Sequence, residues 1–283
     1  MSLLSSILLG LIQGLAEFLP ISSSGHLALF QTFFGMENME EKYMFFTVLL
    51  HFGTLISVCM VYWRDIVDMI REFFLGIAAL AGRKDTGVAP PPARRMVMLI
   101  IIATVPLFVM VFLQDAVNQL FSNSIMVSCA LLATGFILFF SDRMARGHKT
   151  AKNATVADAL IVGCGQALAV IPGLSRSGTT ISVGMMRGFD RAFAVRFSFL
   201  MSLPAVLGAN VLEIKDALAS NFPIEELPMY LVGVAVSAVV GYFAIRLVKS
   251  LSDKGKFGKF AYYCWAVGLG SLVAGIVKMM LLK

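Results

Sequence analysis

Hydrophobic positions along this chain come in long unbroken runs, with short polar connections between them. Residues 96–113 read MVMLIIIATVPLFVMVFL, which is apolar on every face of a helix. A bilayer core about 30 Å thick is crossed by a helix of about 20 apolar residues. Runs of that kind fall at 43–62, 96–113, 124–140, 193–212, 229–248 and 260–281. A membrane barrel would alternate apolar and polar residues instead. The pattern predicts an all-α polytopic membrane protein with six transmembrane helices, built as a single membrane domain over 1–283. Residues 64–84 are amphipathic and are expected to lie along the inner surface, closed by the turn at Pro90, Pro91 and Pro92.

Two apolar segments, 3–34 and 156–188, are each broken at the middle by proline, glycine and hydroxyl residues. Each is expected to be a re-entrant pair of half-helices that enters and leaves on one side. Laid over each other at an offset of 153, they match at Gly10 and Gly163, Gln13 and Gln166, Leu15 and Leu168, and Ala16 and Ala169. The match continues at Ser22 and Ser175, Ser24 and Ser177, and Gly25 and Gly178. The expected organisation is therefore a first repeat over 1–140 and a second over 156–283, each a re-entrant pair followed by three spans. Three crossings is an odd number, so the second copy is inverted. Inverted repeats with broken helices bring their elbows together near the midplane, where half-helix N-termini point at an anion.

Charge fixes the expected orientation and removes one function class. The chain has 23 Lys and Arg against 17 Asp and Glu, a net charge of +6. Eighteen of the 23 basic residues lie in the connections 64–95, 141–155, 187–196 and 246–259, all on one face. The other face keeps Lys42, Lys215, Lys278 and Lys283. The basic excess therefore marks the inner side and gives no argument for nucleic acid; both termini are expected outside. Arg187, Arg191 and Arg196 are read as topology markers that snorkel, and His148 as a solvated loop residue. Cys59, Cys129, Cys164 and Cys264 have no paired spacing and are expected to be small buried hydrophobes, neither a disulfide framework nor a zinc site. The glycines of 233–241 and 268–275 allow close helix contacts, and hence a homodimer.

The elbows carry the chemistry. The first runs from Gln13 to His26. Gln13 and Glu17 are one helical turn apart, Pro20 ends the half-helix, and Ser22, Ser23 and Ser24 precede the next. An intramembrane carboxylate is expensive and points to function; the structural alternative is that Glu17 and His26 pair with each other for packing. The second elbow reads Pro172, Gly173, Leu174, Ser175, Arg176, Ser177, Gly178, Thr179 and Thr180. A fixed cation, hydroxyl donors and a helix N-terminus are the parts of a phosphate cradle; the structural alternative is that Arg176 only neutralises Glu17. Together the elbows hold a hydroxyl nucleophile, a candidate base, a candidate acid and an oxyanion clamp, which suits phosphoryl transfer or hydrolysis. His51, in the first span, could equally bind the ligand or serve packing.

These motifs resemble those of the BacA-type undecaprenyl-diphosphate phosphatases. That family's signatures are E/Q-x-x-x-E with a P-x-S-S-x-G-H turn, and P-G-x-S-R-S-x-x-T. Here they stand at Gln13 to Glu17 with Pro20 to His26, and at Pro172 to Thr180. VLLHFGTL around His51 and FSFLMSLPAVLGA from Phe197 extend the likeness over essentially the whole chain. Gln13 replaces the first carboxylate, leaving Glu17 as the sole acidic group on that face. The resemblance implies hydrolysis of undecaprenyl diphosphate to undecaprenyl phosphate and inorganic phosphate at the outer face of the bacterial plasma membrane. That reaction recycles the lipid carrier for peptidoglycan and other wall polymers, and the family is associated with bacitracin resistance.

Carried over residue by residue, Ser23 is the nucleophile, Arg176 the clamp, and Glu17 and His26 the proton-handling groups. Gln13, Ser24, Ser175, Ser177, Thr180 and His51 are the expected substrate-binding residues. A divalent cation, Mg²⁺ or Ca²⁺, is implied as a stimulant, with Glu17 the one protein ligand in view. The expected partners are the polyprenyl diphosphate substrate and the surrounding membrane lipids. Two questions stay open at this level. Water activated by Glu17 or His26 could attack in place of Ser23, and a lipid flippase or anion transporter could use the same cradle without cleaving anything.

Overall fold

The computed structural model describes residues 2–34, 44–81, 90–113, 117, 119–120, 123–219 and 224–281. Lys42, Arg83, Lys84 and Lys283, which enter the charge count, lie outside the described residues. In chain order the helices are α1 (Leu3–Ala16), α2 (Ser23–Phe34), α3 (Met44–Val61), α4 (Trp63–Ala81), α5 (Pro92–Thr104), α6 (Leu107–Val111), α7 (Ser124–Met144), α8 (Val156–Leu168), α9 (Arg176–Met186), α10 (Arg191–Ala219), α11 (Leu227–Asp253) and α12 (Phe260–Leu281). No strand occurs among the described residues.

Among the described residues, five stretches are long and apolar enough to cross a bilayer: Pro92–Val111, Ser124–Met144, Arg191–Val211, Leu227–Asp253 and Phe257–Leu281. The sixth expected span is α3, which meets α4 at an 88° bend. The bend separates an all-round apolar helix from one with charge on a single face, so the chain turns from crossing the membrane to lying on it. The expected span at 96–113 is interrupted after Thr104, because Pro106 has no N–H to offer the carbonyl of Ile102. It resumes as α6. Leu, Val, Ile, Phe and Met side chains on the outer faces stay exposed, as for Phe108, Phe136, Val239 and Phe243. In a membrane that exposure is to lipid.

Helix α1 packs on α11 and α8 packs on α5 and α6, while α3 packs on both α11 and α10 and α7 runs along α12. Glycine makes the two half-helix contacts close. A Cβ at Gly10 would lie 2.5 Å from the Gly233 carbonyl oxygen, and one at Gly163 would lie 2.2 Å from that of Ala103. Gly10 and Gly163 are the positions matched at 153.

Three expectations change in the structure. The three arginines do more than snorkel: Arg187 pairs with Asp158 at 2.9 Å, Arg191 with Asp142, and Arg196 with Asp65. Asp158 is fully buried, also takes Lys149 at 2.8 Å, and forms a capping box with Thr155 at the start of α8. Of the cysteines only Cys264 is buried; Cys129 and Cys164 are exposed on apolar helix faces, where a thiol is as acceptable to lipid as to a core. Most of the glycines of α11 and α12 are used inside the chain: Gly233 faces the Phe46 ring, Gly241 the Ser57 hydroxyl, Gly268 the side chain of Leu132 and Gly275 that of Ser124, while Gly270 faces open space.

Candidate active site

Each elbow is closed by a serine that caps the helix after it. The Ser22 hydroxyl accepts from the Gly25 N–H at 3.1 Å, and the Ser175 hydroxyl accepts from the Gly178 N–H at 3.1 Å. Ser22 and Ser175 are again 153 apart. Their backbones differ, however. Ser22 has φ 64°, the left-handed conformation that a non-glycine residue adopts at a cost of roughly 1–2 kcal/mol. In the second elbow the reversal falls on Gly173, at φ 97°. Strain of this kind collects where a side chain has to be aimed, and the residue after Ser22 is Ser23, the first of α2.

The elbows meet each other reciprocally. A Cβ at Gly25 would lie 2.7 Å from the Gly173 Cα, and one at Gly178 would lie 3.1 Å from the Pro20 Cβ. Each elbow is also held from across the molecule. The Cys264 thiol of α12 donates to the Pro20 carbonyl at 3.6 Å. Thr134 of α7 donates its hydroxyl to the Gly173 carbonyl at 2.9 Å and accepts from the Ser175 N–H at 3.2 Å. Backbone that is not helical is thus enclosed by protein, the condition for keeping it inside a membrane.

A cavity of about 270 Å³ opens at this crossing. Its polar wall comes from Glu17, Ser22, Ser23, Ser24, Ser175 and Arg176, joined by His51 from α3. The rest of its lining is apolar apart from Gln166 and Asn210, and comes mainly from α6, the end of α8, and α10. Arg176 donates to Oε1 of Glu17, and Gln13 donates to Oε2 at 3.2 Å. The buried carboxylate is therefore paired at both oxygens. His51 donates from Nδ1 to the Thr47 carbonyl at 2.9 Å, which leaves Nε2 without a hydrogen-bond partner among the described residues. The Ser23 hydroxyl makes no hydrogen bond to the described residues, although it faces the cavity beside this pair.

The structure brings Glu17, Ser23, Ser24, Ser175, Arg176 and His51 together and leaves other expected residues outside. His26 does not line the cavity. Its Nδ1 donates to the Ser22 carbonyl at 2.7 Å, and its Nε2 accepts from the Tyr263 hydroxyl at 2.8 Å while the rings stack. The Glu17 to His26 pairing does not form, since both partners are engaged elsewhere. Thr180 donates to the Arg176 carbonyl at 2.8 Å and lies 2.6 Å from the Ser198 hydroxyl; Ser177 lies against Ser175 and the Leu19 carbonyl. Their hydroxyls fasten α9 to its neighbours. Gln13 reaches the cavity only through Glu17.

Two residues that line the cavity carried no assigned role in the sequence reading, Gln166 of α8 and Asn210 of α10. A signal existed for each. Gln166 is the offset partner of Gln13, and Asn210 is an amide inside the apolar run VLGANVL. Neither stands beside a signature, so neither attracted a role.

No group of three or more His, Cys, Asp or Glu side chains is placed to hold a metal among the described residues. The cavity itself offers one carboxylate, Glu17, and the serine hydroxyls. Mg²⁺ is commonly held by one or two carboxylates together with substrate phosphates. The donor set therefore fits a divalent cation that arrives with a diphosphate, with Glu17 as its protein ligand.

The family model described as bacitracin resistance protein BacA matches residues 6–270. A protein of Alkaliphilus metalliredigens named undecaprenyl-diphosphatase is 42% identical over 269 residues, covering 95% of this chain and 97% of the relative. Proteins of the same name from Halothermothrix orenii and Methanosphaera stadtmanae are 40% and 38% identical, each covering 98% of this chain, and 100% and 99% of the relatives. The matched region contains both elbows and every residue that lines the cavity.

Proposed function

The chain belongs to the bacitracin resistance protein BacA family, and from that membership we infer that it is an integral-membrane phosphatase that hydrolyses undecaprenyl diphosphate to undecaprenyl phosphate and inorganic phosphate. Release of the monophosphate returns the lipid carrier to use in peptidoglycan and cell-wall polymer synthesis, and the family's name links it to bacitracin resistance. The observation that carries the mechanism is the unpartnered Ser23 hydroxyl beside the Arg176 to Glu17 pair, in a cavity where two helix N-termini meet.

In the resting protein Arg176 is bound by a carboxylate. A diphosphate offers the guanidinium a more highly charged partner with matching oxygen geometry. When the terminal phosphate takes Arg176, Glu17 loses its cation and becomes free to accept a proton. Ser23 Oγ then attacks the terminal phosphorus as Glu17 takes the serine proton. The bond to the bridging oxygen breaks, and its electron pair leaves on the lipid phosphate, which carries the proton away. Water follows, gives a proton to the same carboxylate and attacks the phosphorus; the P–Oγ bond breaks, the serine oxygen takes that proton back from Glu17, and inorganic phosphate leaves with Ser23 and the carboxylate restored. The hydroxyl of Ser24 and the first N–H groups of α2 and α9 supply donors to the phosphate oxygens. His51, with its free Nε2, is placed to hold the phosphate or relay a proton. A cation bound with the diphosphate would supply further charge neutralisation.

With the basic connections inside, α10 runs outward from Arg191 toward Asn210 and α1 enters from outside toward Glu17; both residues line the cavity, which favours a mouth at the outer leaflet. The N- and C-termini lie outside under the same assignment.

Phosphate release from undecaprenyl diphosphate by the protein in detergent tests the reading, with Mg²⁺, Ca²⁺ or chelator added. Ser23→Ala and Arg176→Ala are expected to reduce release by at least about a hundredfold, the scale of losing a positioned catalytic group, while the proteins stay folded. Full activity in Ser23→Ala would transfer attack to water. Lipid bound without release by the native protein would overturn the phosphatase assignment.

A further inference from the structure

The cavity contains two amide side chains with unmet hydrogen-bonding demand. Gln166 is only 2% exposed, yet neither its Nε2 nor its Oε1 has a partner; Asn210 is also 2% exposed, and its Nδ2 has none. Leaving a buried polar group unsatisfied costs about 1–3 kcal/mol, and the two side chains that carry these three atoms both line the cavity. They come from different helices. Gln166 lies in the last turn of α8, shortly before Ala169 and Val170, while Asn210 follows Ala209 and lies one turn beyond Val206; all four neighbours line the cavity too. Apolar surface with a few converging amide donors suits a group that is anionic at one end and lipid at the other.

We propose that Gln166 and Asn210 form a second anion subsite, which holds the phosphate that remains on the lipid. This rests on the phosphatase reading. The substrate head has two phosphates, and the Ser23, Arg176 and Glu17 cluster accounts for the terminal one. The inner phosphate must then lie toward the apolar wall and the mouth, where the prenyl chain leaves. Neutral amides suit this position. They donate N–H groups to phosphate oxygens without the attraction of a second fixed cation, so the monophosphate product can depart. Gln166 and Gln13 occupy matching places in the two half-helices, one supporting Glu17 and the other left free for the ligand.

Direct binding separates this subsite from the catalytic one. Farnesyl monophosphate and inorganic phosphate are titrated separately onto the purified protein, onto Gln166→Met, Asn210→Leu and the double variant, and onto Arg176→Ala. Melting temperatures are recorded alongside. Apolar near-isosteres remove unsatisfied groups, so stability without ligand is expected to hold or rise. Each single variant is expected to bind farnesyl monophosphate about tenfold more weakly, roughly 1.4 kcal/mol, with inorganic phosphate affinity unchanged; Arg176→Ala is expected to show the opposite pattern. For hydrolysis the variants are expected to raise KM with kcat retained. Unchanged farnesyl monophosphate binding would overturn the subsite. So would equal weakening of both ligands, which would mean a general change in the cavity. A native protein that binds the monophosphate through these amides but releases no phosphate would refute the phosphatase reading and leave the subsite standing.

Discussion

Glu17 and Arg176 hold each other in the resting state, and this decides what either can do next. A carboxylate paired with a guanidinium is a poor base, while a guanidinium paired with a carboxylate has less attraction left for phosphate. Both become active only when a stronger anion breaks the pair. Glu17→Gln separates the two roles. It removes the competing anion from Arg176 and the repulsion of the incoming phosphate, so inorganic phosphate should inhibit at about a tenfold lower concentration. It also removes the proton acceptor, so kcat should fall by about 10²–10⁴, the range for a lost general base. Kinetics with phosphate as inhibitor give both values from one set of curves. A loss of kcat with weaker phosphate binding would assign Glu17 to ligand binding and not to proton transfer. Much of this site was legible as residues: Glu17, Ser23, Ser24, Ser175 and Arg176 all line the cavity. The sequence could not show which hydroxyls and imidazoles were already spent. Thr180 and His26 look like donors in a motif, and only their distances to Ser198 and Tyr263 reveal their other engagements.

At the scale of the helices, the site depends on how closely two elbows approach. Gly25 lies against Gly173 so tightly that a Cβ would come within 2.7 Å of a backbone carbon, which cannot rotate away as a side chain could. Gly25→Ala should therefore push α2 from the second elbow and misplace Ser23, the residue two positions before it. A displacement of about 1 Å at the reacting atoms can cost roughly a hundredfold in rate. Gly208 in α10 and Gly270 in α12 provide the control, because nothing lies within 4 Å of a Cβ there. Alanine at either should leave hydrolysis unchanged and, by removing a helical glycine, add up to about 1 kcal/mol of stability. Activity and melting temperature of the three variants check this; an active Gly25→Ala would mean that the elbows tolerate separation. The half-helices, the spans and the amphipathic α4 were readable from apolar run length and the placing of Pro and Gly. The break at Pro106 was not, because a run apolar on all sides conceals a turn that one missing N–H is enough to make. That the elbows meet was expected from the repeat; how closely they meet was not, since it depends on Gly25 lying against Gly173 and Gly178 against Pro20.

For the molecule as a whole, the helix ends that carry the basic connections are bound to one another by charge. Arg95 donates to the Ala151 and Ala154 carbonyls at 3.0 and 2.9 Å, and Asp158 gathers Lys149 and Arg187. Asp142 takes Arg191 and accepts from the Gly258 N–H at 2.9 Å. These contacts tie α5, α7, α8, α10 and the approach to α12 at a single level, the level to which basic residues are confined by the positive-inside rule. Orientation can be read directly by labelling a chain whose native cysteines have been replaced. Ala209→Cys lines the cavity near its mouth, whereas Lys149→Cys sits in the inner charge cluster. A membrane-impermeant thiol reagent added outside intact cells should modify the cysteine at 209 and leave that at 149 untouched, with the order reversed in inside-out vesicles. Phosphonate analogues of the diphosphate should slow labelling at 209 alone. Modification at 209 only from the inner side would turn the cavity inward and place the lipid diphosphate on the opposite leaflet. Modification from both sides would mean that the two elbows do not seal the midplane, and the enclosed non-helical backbone would then have to be reached by water from within.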